Sequence, residues 1–146
     1  MARVSTYLNF GRSTEEAFNF YKSVFKSDFA APVMRYKDVP AQPGQPPLAE
    51  EDGNLIMHIE LPILGGHLLM GTDAPESMGF SLTAGNTVTM NLEPDTRAET
   101  ERLFKALAEG GQVDTPLQEM FWGGLFGILV DRFGMRWMFN FGENSQ

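Results

Sequence analysis

Apolar and polar positions along the chain alternate in two periods. Arg3–Phe10, RVSTYLNF, has the two-residue period of a strand, with Tyr7 and Asn9 on one face and Leu8 and Phe10 on the other. Gly11 ends it. Ser13 followed by Glu16 has the spacing of a capping box, and Ala17, Phe20, Tyr21, Val24 and Phe25 follow at helical spacing, so a helix is predicted from Thr14 to about Lys26. Asp28–Asp38 reads as a strand that Pro32 confines to an edge or a bulge. NLIMHIELP and HLLMGTD read as two further strands joined across Gly65-Gly66.

The same order then returns. Ala74–Gly85 is a polar connector, and Asn86–Pro94 alternates as a strand, with Thr87, Thr89 and Asn91 against Val88, Met90 and Leu92. Asp95 or Thr96 starts a second helix, with Thr96 and Glu99 as a capping box and Leu103, Phe104 and Leu107 on its buried face. Gly110-Gly111 stops it. QVDTPLQEMFW, LFGILVD and MRWMFNF read as three strands, with Asp131–Gly134 as the last turn and Gly134 suited to positive φ. The chain thus reads as strand, helix and three strands, twice, in modules of about 1–75 and 86–146 within one domain. The fold class is α+β, two βαβββ modules. One helix covers one face of each sheet, and two such sheets set face to face would enclose a cavity.

Composition narrows the function. At 146 residues the chain can bury a core, and a net charge of −8 with pI near 4.7 argues against nucleic acid and anionic membranes as partners. The absence of cysteine removes disulfides, thiolate metal sites and cysteine nucleophiles. No apolar run approaches the roughly 20 residues of a membrane helix. Without a signal-peptide pattern the expected location is cytoplasmic. Asp38–Gly53 carries four of the nine prolines and reads as a long surface loop, either a connector or a lid.

YLNFGRSTEEAFNFYKSVF near the start and EMFWGGLFGILVDRFGMRWMFN near the end give the chain a resemblance to the vicinal oxygen chelate superfamily. It is most similar to the PhnB-like branch of the glyoxalase/bleomycin-resistance proteins. The resemblance covers nearly the whole chain. It implies paired βαβββ modules with cupped sheets, often in a homodimer, and a function among metal-dependent isomerases, dioxygenases, fosfomycin-modifying enzymes and metal-free drug-binding proteins. Some proteins of this branch bear a demethylubiquinone methyltransferase name, but no glycine-rich S-adenosylmethionine loop follows the first strand.

The resemblance also implies where metal ligands would stand: near Thr6, Met70, Thr87 and Met138. None is a carboxylate or an imidazole, so no metal and no cofactor are expected. His58 and Glu60 point to one sheet face, as a hydrogen-bonded pair or as part of a metal or acid–base site lacking an obvious third member. His67, beside the glycines, reads as an exposed turn residue. Neither a G-x-S-x-G motif nor a phosphate loop is present.

In the last strand Arg136, Met138 and Asn140 share one face, and Met135, Trp137, Phe139 and Phe141 share the face expected under the second helix. Phe121 and Trp122, before Gly123-Gly124, are core residues or an aromatic clamp. The expected binding set is therefore Tyr7, Asn9, His58, Glu60, Met70, Thr87, Thr89, Asn91, Phe121, Trp122, Met138 and Asn140. Its expected ligand is a small organic molecule held without a metal in the cavity. The alternatives are a metal-dependent lyase, isomerase or dioxygenase, and a purely structural protein with a filled cavity.

Overall fold

A computed structural model of the chain describes residues 2–40, 43–44 and 47–142. It contains β1 (Thr6–Phe10), α1 (Thr14–Phe25), β2 (Met34–Arg35), β3 (Ile56–Pro62) and β4 (Leu68–Asp73). These are followed by β5 (Met90–Leu92), α2 (Arg97–Ala108), β6 (Gln112–Glu119), β7 (Leu125–Val130) and β8 (Arg136–Phe141). The chain divides into two compact units, Met1–Thr83 and Ala84–Gln146. Each is one βαβββ module with a four-stranded mixed sheet, in the orders β1-β4-β3-β2 and β5-β8-β7-β6. The first and last strands of each module pair in parallel and the remaining pairs are antiparallel.

Alternation decides which side chains each helix covers. In the first unit Leu8, Phe10, Ile59, Leu61 and Leu69 are buried on the α1 side, under Ala17, Phe18 and Tyr21. A bulge in β3 lets Ile56 join them: Met34 pairs with His58 while the next residue, Arg35, pairs with Ile56. In the second unit Trp137, Phe139 and Phe141 are buried with Leu103, Phe104 and Leu107, as their spacing predicts. Each helix seats a phenylalanine on a strand glycine. Phe18 lies over Gly71, and Phe104 over Gly127, where a Cβ would come within 2.5 Å and 2.7 Å of the respective rings.

A buried aspartate organises each unit. Asp73 closes β4; its Oδ1 accepts from the Thr14 N–H and hydroxyl at 3.1 and 2.8 Å, and its Oδ2 from the Ile56 N–H at 2.8 Å. Asp131 follows β7; its Oδ1 accepts from the Phe133 and Met135 N–H groups, and its Oδ2 from the Trp137 indole at 2.8 Å.

Several expectations are corrected. Ser13 precedes α1 but its side chain makes no capping bond; Asp73 takes the free first-turn N–H instead. Thr96 does cap α2, accepting from the Glu99 N–H at 3.1 Å, and the Glu99 carboxylate pairs with Arg102. The Asp28–Asp38 strand shrinks to Met34–Arg35, followed by a turn of 3-10 helix at Tyr36–Asp38. The Asn86–Pro94 strand shrinks to Met90–Leu92, because only those residues find ladder partners on β8. β6 keeps Pro116 inside a strand, which its edge position and two register shifts permit. The expected turn geometries hold at Gly65, Gly66 and Gly134, all with positive φ.

Two substitutions test this core. Asp73→Asn puts an N–H2 donor against buried N–H groups and should cost about 1–3 kcal/mol. Gly71→Ala drives a methyl into the enclosed Phe18 ring and should cost a similar amount, about 1–3 kcal/mol. Urea unfolding monitored by circular dichroism reads both.

Candidate functional site

The face of the first sheet turned away from α1 carries most of its exposed chemistry. Tyr7 pairs with Met70, and Met70 with Glu60, so Tyr7, Met70 and Glu60 form one row across β1, β4 and β3. Asn9 and Thr72 form the next row. His58 lies on the same face, two residues before Glu60, with Met34 opposite it on β2.

Three of these side chains form a chain of polar contacts. The Tyr7 hydroxyl lies 3.2 Å from His58 Nδ1, and the two rings are tilted with centroids 5.8 Å apart. His58 Nε2 lies 3.5 Å from Glu60 Oε2. An ionised Glu60 only accepts, so it favours the tautomer with the proton on Nε2. Nδ1 is then left to accept the Tyr7 O–H. Burial raises the Tyr7 pKa above that of a free phenol, and the nearby Tyr36 and Glu60 add to the rise; the Thr72 hydroxyl opposes it. Tyr7 therefore remains a neutral donor and acceptor across the physiological range, in contact with the His58 imidazole.

Tyr36 and Thr72, which the sequence did not single out, border this cluster. The Tyr36 hydroxyl donates to the Asp73 carbonyl at 2.6 Å and lies 3.4 Å from Thr72 Oγ1. The signal for Asp73 was present: a lone carboxylate closes the apolar run HLLMGTD, and Asp131 likewise closes LFGILVD.

In the second unit, Asn91 pairs with Met138 and accepts a 2.7 Å bond from Asn140 Nδ2, so these three expected residues do meet on the face away from α2. Arg136 joins them on β8. Thr87 and Thr89 do not: the shortened β5 leaves Thr87 exposed in a bend and Thr89 just before the strand, so neither belongs to a cross-strand row. Phe121 and Trp122 occupy the β6–β7 turn, closed by the Gly123 N–H to the Met120 carbonyl. Phe121 is 99% exposed and Trp122 46%, so neither is a core residue; Trp122 lies against Gly124, where no Cβ could fit.

The positions expected for metal ligands carry hydroxyl and thioether groups. The Thr6 hydroxyl is taken by His67 Nε2 at 2.8 Å, which also makes His67 half-buried rather than an exposed turn residue. Met70 and Met138 offer thioethers, and Thr87 an exposed hydroxyl. Among the described residues no three His, Asp or Glu side chains converge to hold an ion, so His58 and Glu60 lack a third ligand. No helix among the described residues is long and apolar enough to cross a membrane.

The proline-rich segment is pinned at its C-terminal end. Asp52 is buried and accepts from Arg12 at 2.8 Å and from the Ser77 hydroxyl, which joins the β1–α1 turn, the loop end and the connector after β4. Residues 41–42 and 45–46 of the segment lie outside the described residues.

The chain matches the family described as 3-demethylubiquinone-9 3-methyltransferase over residues 2–139. It is similar to protein PA1353 from Pseudomonas aeruginosa, at 33% identity and a TM-score of 0.81, with 97% of this chain and 98% of that one covered. A PhnB protein from Bacillus cereus, also named for 3-demethylubiquinone-9 3-methyltransferase, is 26% identical with a TM-score of 0.72 over 97% and 100% of the two chains. A glyoxalase/bleomycin resistance protein/dioxygenase family enzyme from Burkholderia phytofirmans, 20% identical over 93% and 96% of the chains with a TM-score of 0.58, shares the fold.

The Ser77 hydroxyl first, and the Arg12 guanidinium next, hold the Asp52 carboxyl below its ordinary range. A depressed folded-state value contributes stability above the unfolded value, roughly pH 4, which is lost as pH falls through the folded value. Arg12→Ala should therefore flatten the acid limb of a Tm-against-pH curve. For Tyr7, the difference in absorbance titration between the native protein and Tyr7→Phe should show a phenol ionising above roughly pH 10.

Proposed function

The chain belongs to the 3-demethylubiquinone-9 3-methyltransferase family of PhnB-like proteins, and from that premise we propose that it binds a small organic molecule without a metal, on the face of its first sheet turned away from α1. The observation that carries this reading is the Tyr7–His58–Glu60 chain. It places a neutral phenol, an imidazole and a carboxylate in contact beside the adaptable thioethers of Met70 and Met34. A few oriented polar groups among soft apolar ones suit a flat, partly polar ligand that both accepts from and donates to the face.

The methyl transfer in the family's name has less support in this chain. The turn after β1 reads Gly11-Arg12-Ser13, with one glycine, and Arg12 is engaged by Asp52 and Ser77 rather than free for a cofactor. A metal-dependent lyase, isomerase or dioxygenase would need donors that the superfamily slots do not offer. A homodimer belongs to the same proposal. Val4 and Val88, each just ahead of a sheet-edge strand, are 86% and 79% exposed and would be covered by a second copy. Light scattering on a sizing column measures that directly.

Elemental analysis after loading with nickel, zinc, manganese and iron, followed by dialysis, should find no stoichiometric metal; about one per chain would overturn the metal-free reading. A thermal-shift screen with aromatic and polar-aromatic compounds should then give stabilising hits. Tyr7→Phe should weaken such a hit by roughly 5- to 10-fold, the loss of one net hydrogen bond. Hits that bind Tyr7→Phe and His58→Ala as tightly as the native protein would place the ligand elsewhere.

A further inference from the structure

On the face of the second sheet away from α2, β7 and β8 set three cross-strand rows in register. Arg136 pairs with Val130, Met138 with Ile128, and Asn140 with Phe126. The strip therefore runs from a guanidinium, across thioether and aliphatic surface, to an amide that is hydrogen-bonded to Asn91. Four residues of strand separate its ends, roughly 13 Å.

Arg136 is poorly satisfied where it stands. Its side chain is mostly covered, at 21% exposure, and its Nε is buried with no hydrogen-bond acceptor among the described residues. Its acceptor among those residues is Asp114 Oδ2, reached from Nη1 at 3.4 Å, longer than an ordinary charge-assisted bond. A guanidinium keeps its charge at any physiological pH and presents five donors in a fork that matches a carboxylate. In a chain of net charge −8, a covered and under-used arginine beside Val130 and Met138 is an unusual investment for structure alone.

We propose that Arg136 is the anchor of an anion subsite on the second sheet, taking the carboxylate of a small apolar or aromatic acid whose body lies along Met138 and Ile128. Asp114 then acts as a weak internal competitor that a ligand carboxylate displaces. This rests on the reading that the protein takes small organic molecules, and it adds a separately placed subsite that selects an acid.

The test uses the native protein with benzoate as probe, against the uncharged isostere benzamide. Nitrogen-15 NMR should show benzoate shifting the Arg136 Nε–H resonance and backbone amides of β7 and β8, with benzamide shifts at least fivefold smaller at equal concentration. Arg136→Gln should abolish the response. Asp114→Asn, at an exposed edge-strand position, removes the competitor without touching the anchor and should tighten benzoate at least threefold. Equal response to benzamide, no response at Arg136, or weaker binding in Asp114→Asn would overturn the subsite. The two readings separate cleanly. Tyr7-dependent screening hits together with no benzoate response at Arg136 overturn the anion subsite and leave ligand binding on the first sheet intact. Benzoate binding at Arg136, with every hit indifferent to Tyr7→Phe, supports the subsite and removes the Tyr7 anchor.

Discussion

A buried carboxylate that only accepts hydrogen bonds is the constraint on which each unit is built. Asp73 gathers donors from the start of α1 and the start of β3 onto the end of β4, while the adjacent Ala74 N–H bonds the end of β1. The Asp73 side chain thus fixes the meeting point of the helix with β3 and β4, and the neighbouring Ala74 backbone ties in β1. A carboxyl group at this depth is tolerable because three donors replace its water, and it is exacting because no donor can be lost cheaply. Asp131 performs a related task at a different place. It closes its own turn and reaches the indole of Trp137, the largest fully buried side chain.

With the helix side of each sheet fixed in this way, the opposite side is free to vary, and chemistry accumulates there. The faces of the two units differ in character. The first presents a phenol–imidazole–carboxylate chain beside methionines; the second presents a guanidinium and an amide pair on aliphatic ground. Repetition of the βαβββ order therefore did not repeat the side-chain chemistry of the faces. The helix-side packing is conserved in kind, down to a phenylalanine over a strand glycine, yet that glycine sits on β4 in one unit and on β7 in the other.

Much of this was legible beforehand, for identifiable reasons. Two-residue alternation in YLNF and RWMFNF correctly divided Leu8, Phe10, Trp137, Phe139 and Phe141 from Tyr7, Asn9, Arg136, Met138 and Asn140, because in a strand the period alone fixes the face. Capping chemistry was less reliable. Thr96 caps α2 as its spacing implies, whereas Ser13 has the same spacing and is displaced by a carboxylate 60 residues further along the chain. Strand lengths also misled at β2 and β5, since a strand extends only where a neighbour offers a ladder, and the neighbour is not adjacent in sequence.

The sequence by itself determined the order of elements and the face on which the residues of β1 and β8 lie, and its resemblance to known proteins pointed to the family. Order and face follow from local periodicity, which needs no knowledge of distant neighbours. Only the tertiary structure decided that Tyr7 meets His58 across 51 residues, that His67 occupies the Thr6 hydroxyl, that Thr87 and Thr89 fall outside the sheet, and that Arg136 reaches Asp114 through a long 3.4 Å bond. These depend on strand order and on register, which shifts once between β2 and β3 and twice between β6 and β7, and a one-residue change of register would turn a different set of side chains to the same face.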